Sequence, residues 1–153
     1  AAAAPSIREE DVYAAWLATN PATPAHLRPF DESGCVASLG TAAWLHGLGE
    51  LKPEPITFSC PKRKQSRNPS LRFLRRQLPK EDVCMVAGMP TTTPWRTILD
   101  LLDHGEDLSL VASVLRDAEL ADFAMDLGDE VNSRAAKCGF GKGFDLYAYL
   151  KRG

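Results

Sequence analysis

The chain has no apolar run near the roughly 20 residues that a helix needs to cross a bilayer, which excludes a membrane-spanning helix. Ala1 to Ala4 is too short for the apolar core of a signal peptide, so the expected compartment is the cytoplasm. A starting methionine is also missing, and the sequence reads as a fragment or a processed product. The net charge is only −2, so the chain as a whole is not built to coat nucleic acid. The cysteines are widely spaced with no C-x-x-C, and His46 has no partner His or carboxylate at ligand spacing, so neither metal nor cofactor is expected. Cys138-Gly139-Phe140-Gly141-Lys142-Gly143 is rich in glycine, yet it lacks the G-x-x-x-x-G-K-[ST] order of a phosphate loop and reads as a hinge. Ser59, Ser66 and Ser70 lie near Cys60 with no histidine close by in sequence, so no nucleophile–base pair is visible.

Four cysteines are present: Cys35, Cys60, Cys84 and Cys138. Three sit in or beside apolar strand-like runs, and buried free thiols are expected, because a disulfide framework needs an oxidising compartment. At 153 residues, the chain has the size of one domain with a real core, taken as residues 1–153.

Ser6 and Glu9 form a capping box for a first helix with Val12, Ala15 and Trp16 inside; Asn20-Pro21 ends it. Cys35 to Ala37 reads as a short strand, and Ser38 as the cap of a helix running to about His46. That helix is built from small residues, which allow close approach, with Trp44, Leu45 and Leu48 as its large plugs. His46 stands just before Gly47, where an imidazole can satisfy a carbonyl, and a structural role is expected. Three strands follow at Ile56–Cys60, Leu71–Leu74 (reaching at most Leu78) and Val83–Val86, and loop-length joints suggest an antiparallel meander.

The densest signal is Gly88 to Leu102. Gly88 and Pro90 end the run before them, Thr93 reads as N-cap and Pro94 as first helical residue. Trp95, Ile98, Leu101 and Leu102 recur on one face, while Arg96 and Asp100 can pair on the other. Asp107 caps a further helix carrying Leu108, Val111, Ala112, Leu115 and Ala118. A less regular helical stretch from Phe123 to Lys137, with Met125, Leu127 and Val131, precedes the glycine hinge and a closing helix from Phe144 to Arg152. The expected fold class is α/β (α+β): a small antiparallel sheet packed against helices, with a mainly helical C-terminal half.

Charge is segregated. Lys62, Arg63, Lys64, Arg67, Arg72, Arg75, Arg76 and Lys80 follow one another without an acid until Glu81, whereas residues 100–130 hold ten acids and one arginine. Such a basic hairpin is suited to phosphates or an acidic partner. The alternative is a solvated face with ion pairs to the acidic half. Phe73 stands among these arginines and is either a base-stacking ring or a core residue.

The Gly88 to Leu101 stretch, with Gly88, Pro90, Thr92, Thr93, Arg96, Thr97 and Asp100, resembles the core of AbiEi-type antitoxins of bacterial AbiE toxin–antitoxin and phage-defence systems. A second block, Val36 to Gly49, resembles the family's helix ending in His-Gly-Leu, here His46, Gly47 and Leu48. Ser38 fits it, while Gly40 and Thr41 depart from the usual His/Arg and Ser. The similarity is strongest over residues 36–120. It implies a non-enzymatic type IV antitoxin without cofactor, which counteracts a neighbouring nucleotidyltransferase-like toxin and represses its own promoter. The family usually carries an N-terminal winged helix for the operator; only one helix precedes the core here, so that reader is expected to be missing. Two other readings stand beside it. One is the DNA-handling domain of a nuclease-linked protein, against which counts the lack of a clustered Asp and Glu-x-Lys pattern. The other is a bare protein-interaction module.

Overall fold

Five short apolar or β-branched runs become strands in the computed structural model, which describes residues 7–24, 27, 34–121, 123 and 126–152. They are β1 (Val36–Ala37), β2 (Ile56–Cys60), β3 (Leu71–Arg75), β4 (Val83–Val86) and β5 (Met89–Thr92). Helix α1 (Glu9–Ala18) precedes them and α2 (Leu39–His46) follows β1. The C-terminal half consists of α3 (Pro94–Asp103), α4 (Leu108–Leu120), α5 (Gly128–Asn132) and α6 (Leu146–Arg152). The α+β class with a helical C-terminal half is therefore what the chain adopts.

The sheet differs from the expected antiparallel meander. Its strand order is β3-β2-β1-β5-β4. Strands β2 and β3 run parallel, as do β1 and β5, while β1–β2 and β4–β5 are antiparallel. Two connections account for this. Residues 61–70 carry the chain back to the start of β2, so β3 runs alongside it in the same direction, without the helix that usually makes such a crossover. Residues 76–82 then lead from one edge of the sheet to the other. Strand β5 escaped the sequence reading because Ala87-Gly88 turns the chain instead of ending the run. Their φ values of 52° and 78° are left-handed in succession, as a two-residue type I′ hairpin requires, and the usual Asn or Asp is absent.

Strand register sorts the side chains. Ala37 lies opposite Phe58 and Thr91, and with Ile56, Cys60, Met89, Val12 and Trp16 it builds one apolar cluster beneath α1. The larger cluster is helical: Ile98, Leu99, Leu101, Leu102, Val111, Val114, Leu115, Leu146 and Leu150. Helix α2 starts where β1 stops and serves both, with Leu39 and Ala43 in the helical cluster, joined there by Leu48 just past the helix end, and Trp44 and Leu45 against the other. This is the central position its small residues suggested.

Several local expectations need correction. The first helix begins at Glu9, with Arg8 as its N-cap residue, whose backbone N–H donates to the Asp11 carboxylate at 2.8 Å; Ser6 lies outside the described residues, as do His26 and Met125. Helix α2 does start after Ser38, yet the Ser38 hydroxyl bonds elsewhere and does not cap it. Cys35 and Cys60 are joined as a disulfide rather than free; Cys84 and Cys138 are free. Among the described residues of 123–137 the helix proper is limited to α5. Among the tryptophans, Trp44 and Trp95 are half-buried, and Trp16 is the enclosed one, its indole N–H donating to the Cys35 carbonyl at 3.2 Å.

Trp16→Ala is expected to cost about 3–5 kcal/mol, the range for deleting a buried aromatic, and Trp44→Ala clearly less. Urea melts of the two variants check the order; equal losses would place Trp44 in the core.

Candidate functional site

Helix α3 begins with its cap. The Thr93 hydroxyl accepts from the Arg96 backbone N–H at 3.4 Å, with Pro94 next, as the sequence indicated. The Thr97 hydroxyl reaches back to the Thr93 carbonyl at 2.8 Å and lies 2.6 Å from the Thr92 hydroxyl, so the end of β5 is locked onto the first turn. Asp100, four residues after Arg96, is only 1% exposed. Its carboxylate accepts from Arg96 Nε at 3.0 Å. It also accepts from both terminal nitrogens of Arg76, at 2.9 and 2.6 Å. Arg76 Nε donates to the Ser59 hydroxyl at 2.7 Å, and that hydroxyl lies 2.8 Å from the Ser38 hydroxyl. One hydrogen-bonded chain therefore joins β1, β2, the exit of β3 and α3.

Arg96 extends it. Its guanidinium lies 3.7 Å from Asp82 and 3.9 Å from Asp103. Asp82 also accepts from the Trp95 indole at 3.4 Å, and its carbonyl from the Thr93 backbone N–H at 2.9 Å. The segment that crosses from β3 to β4 is thus tied to α3 at both ends, by Arg76 and by Asp82. Burial pushes the Asp103 carboxyl up, but Arg134, at 2.8 Å, and Lys137 outweigh it and hold the group below its ordinary value.

The basic run divides. Lys62, Arg63 and Arg67 are exposed on the crossover of residues 61–70, and Arg72 and Arg75 on the edge strand β3. Among the described residues, no carboxylate stands within ion-pair distance of any of these five. Lys64 is half-buried, and its ammonium donates to the Thr19 carbonyl at 2.8 Å, pinning the crossover over the end of α1. Arg76 belongs to the Asp100 network instead of the open surface, and in its case the ion pair to the acidic half is realised. Phe73 is half-buried and stacks on Phe58 with ring centroids 6.2 Å apart, packed against the sheet cluster.

His46 holds together α2 and β5. Its Nε2 lies 2.8 Å from the Thr92 carbonyl, in the donor role that a neutral imidazole can fill. Burial lowers its pKa and the Thr92 bond draws it partway back. The same nitrogen lies 3.9 Å from the Cys84 thiol, whose pKa burial raises. Both shifts favour neutral partners, the opposite of an activated thiolate–imidazolium pair. Gly47 closes α2 in the left-handed region at φ 72°. Pro90 lies opposite Met85 in the β4–β5 pair, inside a strand rather than at its end. No group of three or more potential metal ligands gathers among the described residues.

A groove of about 580 Å³ opens beside the network. Val36, Ser59, Pro90 and Met85 form its floor, on one sheet face by register. Arg76, Gln77, Leu78, Pro79 and Lys80 form its wall. Sequence reasoning missed it, because its parts lie in four separate segments.

A capped strand–helix junction is thus stapled by buried charge, and beside it stand exposed cations with no carboxylate partner among the described residues. Residues 33–137 match the family described as the AbiEi antitoxin C-terminal domain, and the chain belongs to that family. Comparison with curated proteins and with solved structures finds no match. Membership assigns the antitoxin side of a toxin–antitoxin pair, a role that is generally non-enzymatic. Among the described residues no helix is long and apolar enough to cross a membrane.

Two outcomes follow from the geometry. Asp100→Asn is expected to destabilise by about 3–5 kcal/mol, since it leaves two arginines facing a neutral group in a largely buried site. A denaturant melt shifted by less than about 1 kcal/mol would show that the network is dispensable. For His46 the folded pKa lies below the unfolded value. Stability is therefore full above about pH 6.5 and declines as pH falls below it, because the unfolded chain takes up the proton more readily. Melts between about pH 7.5 and 5 should show that decline, and His46→Gln should flatten it.

Proposed function

We propose that this chain is an antitoxin that counteracts a nucleotidyltransferase-like toxin in a type IV toxin–antitoxin and phage-defence system of a bacterial cytoplasm. It also takes part in repressing its own promoter, through contacts to DNA phosphates. It works without metal, cofactor or catalytic residue. The observation that carries this reading, beside family membership, is the set of five exposed cations without a carboxylate partner among the described residues: Lys62, Arg63, Arg67, Arg72 and Arg75. Like charges held together on one edge repel each other, and a negative partner relieves that repulsion. Lys64 supports the same surface by fixing the crossover that carries the first three. Arg76 serves it indirectly, by anchoring the chain just beyond β3.

The test is a variant with Arg63, Arg67, Arg72 and Arg75 changed to Ala. These side chains are exposed, so its thermal melt should match that of the unaltered chain. Promoter binding should weaken, and the slope of log affinity against log salt should flatten by about one unit for each phosphate that no longer meets a cation. Growth of cells expressing the cognate toxin should no longer be rescued. Unchanged DNA binding together with full rescue would reduce the basic edge to a solvated face.

A further inference from the structure

Strand β3 carries open backbone groups as well as charge. In the β2–β3 pair, the Ile56 N–H donates to the Ser70 carbonyl at 2.7 Å and the Arg76 N–H to the Cys60 carbonyl at 2.9 Å. A parallel ladder continues that alternation, so Arg72 and Leu74 direct their N–H and C=O groups to β2. Phe73 and Arg75 then turn both groups outward. Leu71 turns out its carbonyl alone, because its N–H donates to the Asn68 carbonyl at 3.1 Å. Strand β3 stands at the end of the strand order, and among the described residues nothing pairs with its outer edge. Such a row of open donors and acceptors is a template for one more strand. We propose that this edge accepts an extended acidic segment of a protein partner, added to the sheet beside β3.

The side chains state what kind of segment fits. Alternation sets Leu71 and Phe73 against the cluster beneath α1, and Arg72 and Leu74 on the opposite face. A groove of about 620 Å³ opens on the first face, lined among others by Leu71, Phe73, Ser66 and Arg67. One set of side chains of an added strand enters that groove, where half-buried Leu71 and Phe73 offer apolar contact. The other set lies beside Arg72. Arg67, Arg72 and Arg75 are exposed, and among the described residues none of them has a carboxylate partner. Like charges facing each other across strands are unfavourable, so these arginines disfavour a second copy of β3 and favour an acidic strand. The proposal rests on the basic edge as the functional surface and adds backbone pairing to it.

The probe is a short capped peptide of alternating glutamate and valine. Its control has equal charge, with proline in place of the central valines. The first peptide should bind the folded chain and slow amide exchange at Phe73 and Arg75 by roughly tenfold or more. Exchange at Arg72 and Leu74, already bonded to β2, should change little. Arg75→Pro removes an outward N–H at an edge position, where proline is tolerated. It should weaken peptide binding by roughly fivefold or more beyond Arg75→Ala, which removes the charge alone. Thermal melts of both variants should match the unaltered chain; if Arg75→Pro does not fold, the exchange measurement decides. Equal binding of the proline peptide, or unchanged exchange at Phe73 and Arg75, would refute strand addition and leave the basic surface in place. No binding of either peptide, with promoter DNA still held through the arginines, would assign the edge to DNA alone. Strand addition with promoter binding indifferent to the arginines would uphold the proposal and remove the DNA contact instead.

Discussion

The carboxylate of Asp100 holds the architecture in place. It is withdrawn from water at 1% exposure, and a buried charge costs several kcal/mol unless it is paired and hydrogen-bonded. Two guanidiniums meet that condition from different parts of the chain: Arg96 from its own helix and Arg76 from beyond β3. An apolar residue of similar size would fill the space without choosing among arrangements. A buried charge tolerates only those arrangements that bring both arginines to it, so it selects one placement of the crossing segment over α3. The threonines at the end of β5 serve the same end, by fixing the first turn of α3 and with it the position of Asp100.

This division of labour explains why neighbouring arginines behave differently. Arg75 and Arg76 are adjacent, yet alternation sends one to the open edge and turns the other toward Ser59 and Asp100. The inward residue fixes the position of the strand end, and its outward neighbours present charge from a backbone that this anchor steadies. Lys64 does for the crossover loop what Arg76 does for the strand, using a carbonyl at the end of α1 in place of a carboxylate.

Much of this was legible in local pattern. The cap at Thr93, the paired Arg96 and Asp100, the limits of β2 and β4 and the end of α2 at Gly47 all depend on residues within a few positions of one another. What escaped was non-local. Nothing in Leu71–Arg75 says whether it pairs parallel or antiparallel, because the direction is decided by where residues 61–70 lead the chain. Nothing in the basic run marks Arg76 as the inward one, since its partner lies 24 positions away. The Cys35–Cys60 bridge and the groove are of the same kind, each made by segments that the sheet brings together. Strand β5 was lost for a local reason, an alanine where a hairpin turn usually shows Asn or Asp.

The strand order also bears on synthesis. Strand β1 lies at the centre of the sheet, between β2 and β5, although it is the first strand made. Its second neighbour ends only at Thr92, and Asp100, which secures the exit of β3, comes later still. The β4–β5 hairpin is the one sheet unit that can form from adjacent residues. A nascent chain leaving the ribosome therefore holds one edge of β1 unpaired until β5 has been translated and has also cleared the exit tunnel. Such a chain completes its sheet late and from distant parts, the situation in which folding is slow and exposed edges are open to wrong pairing.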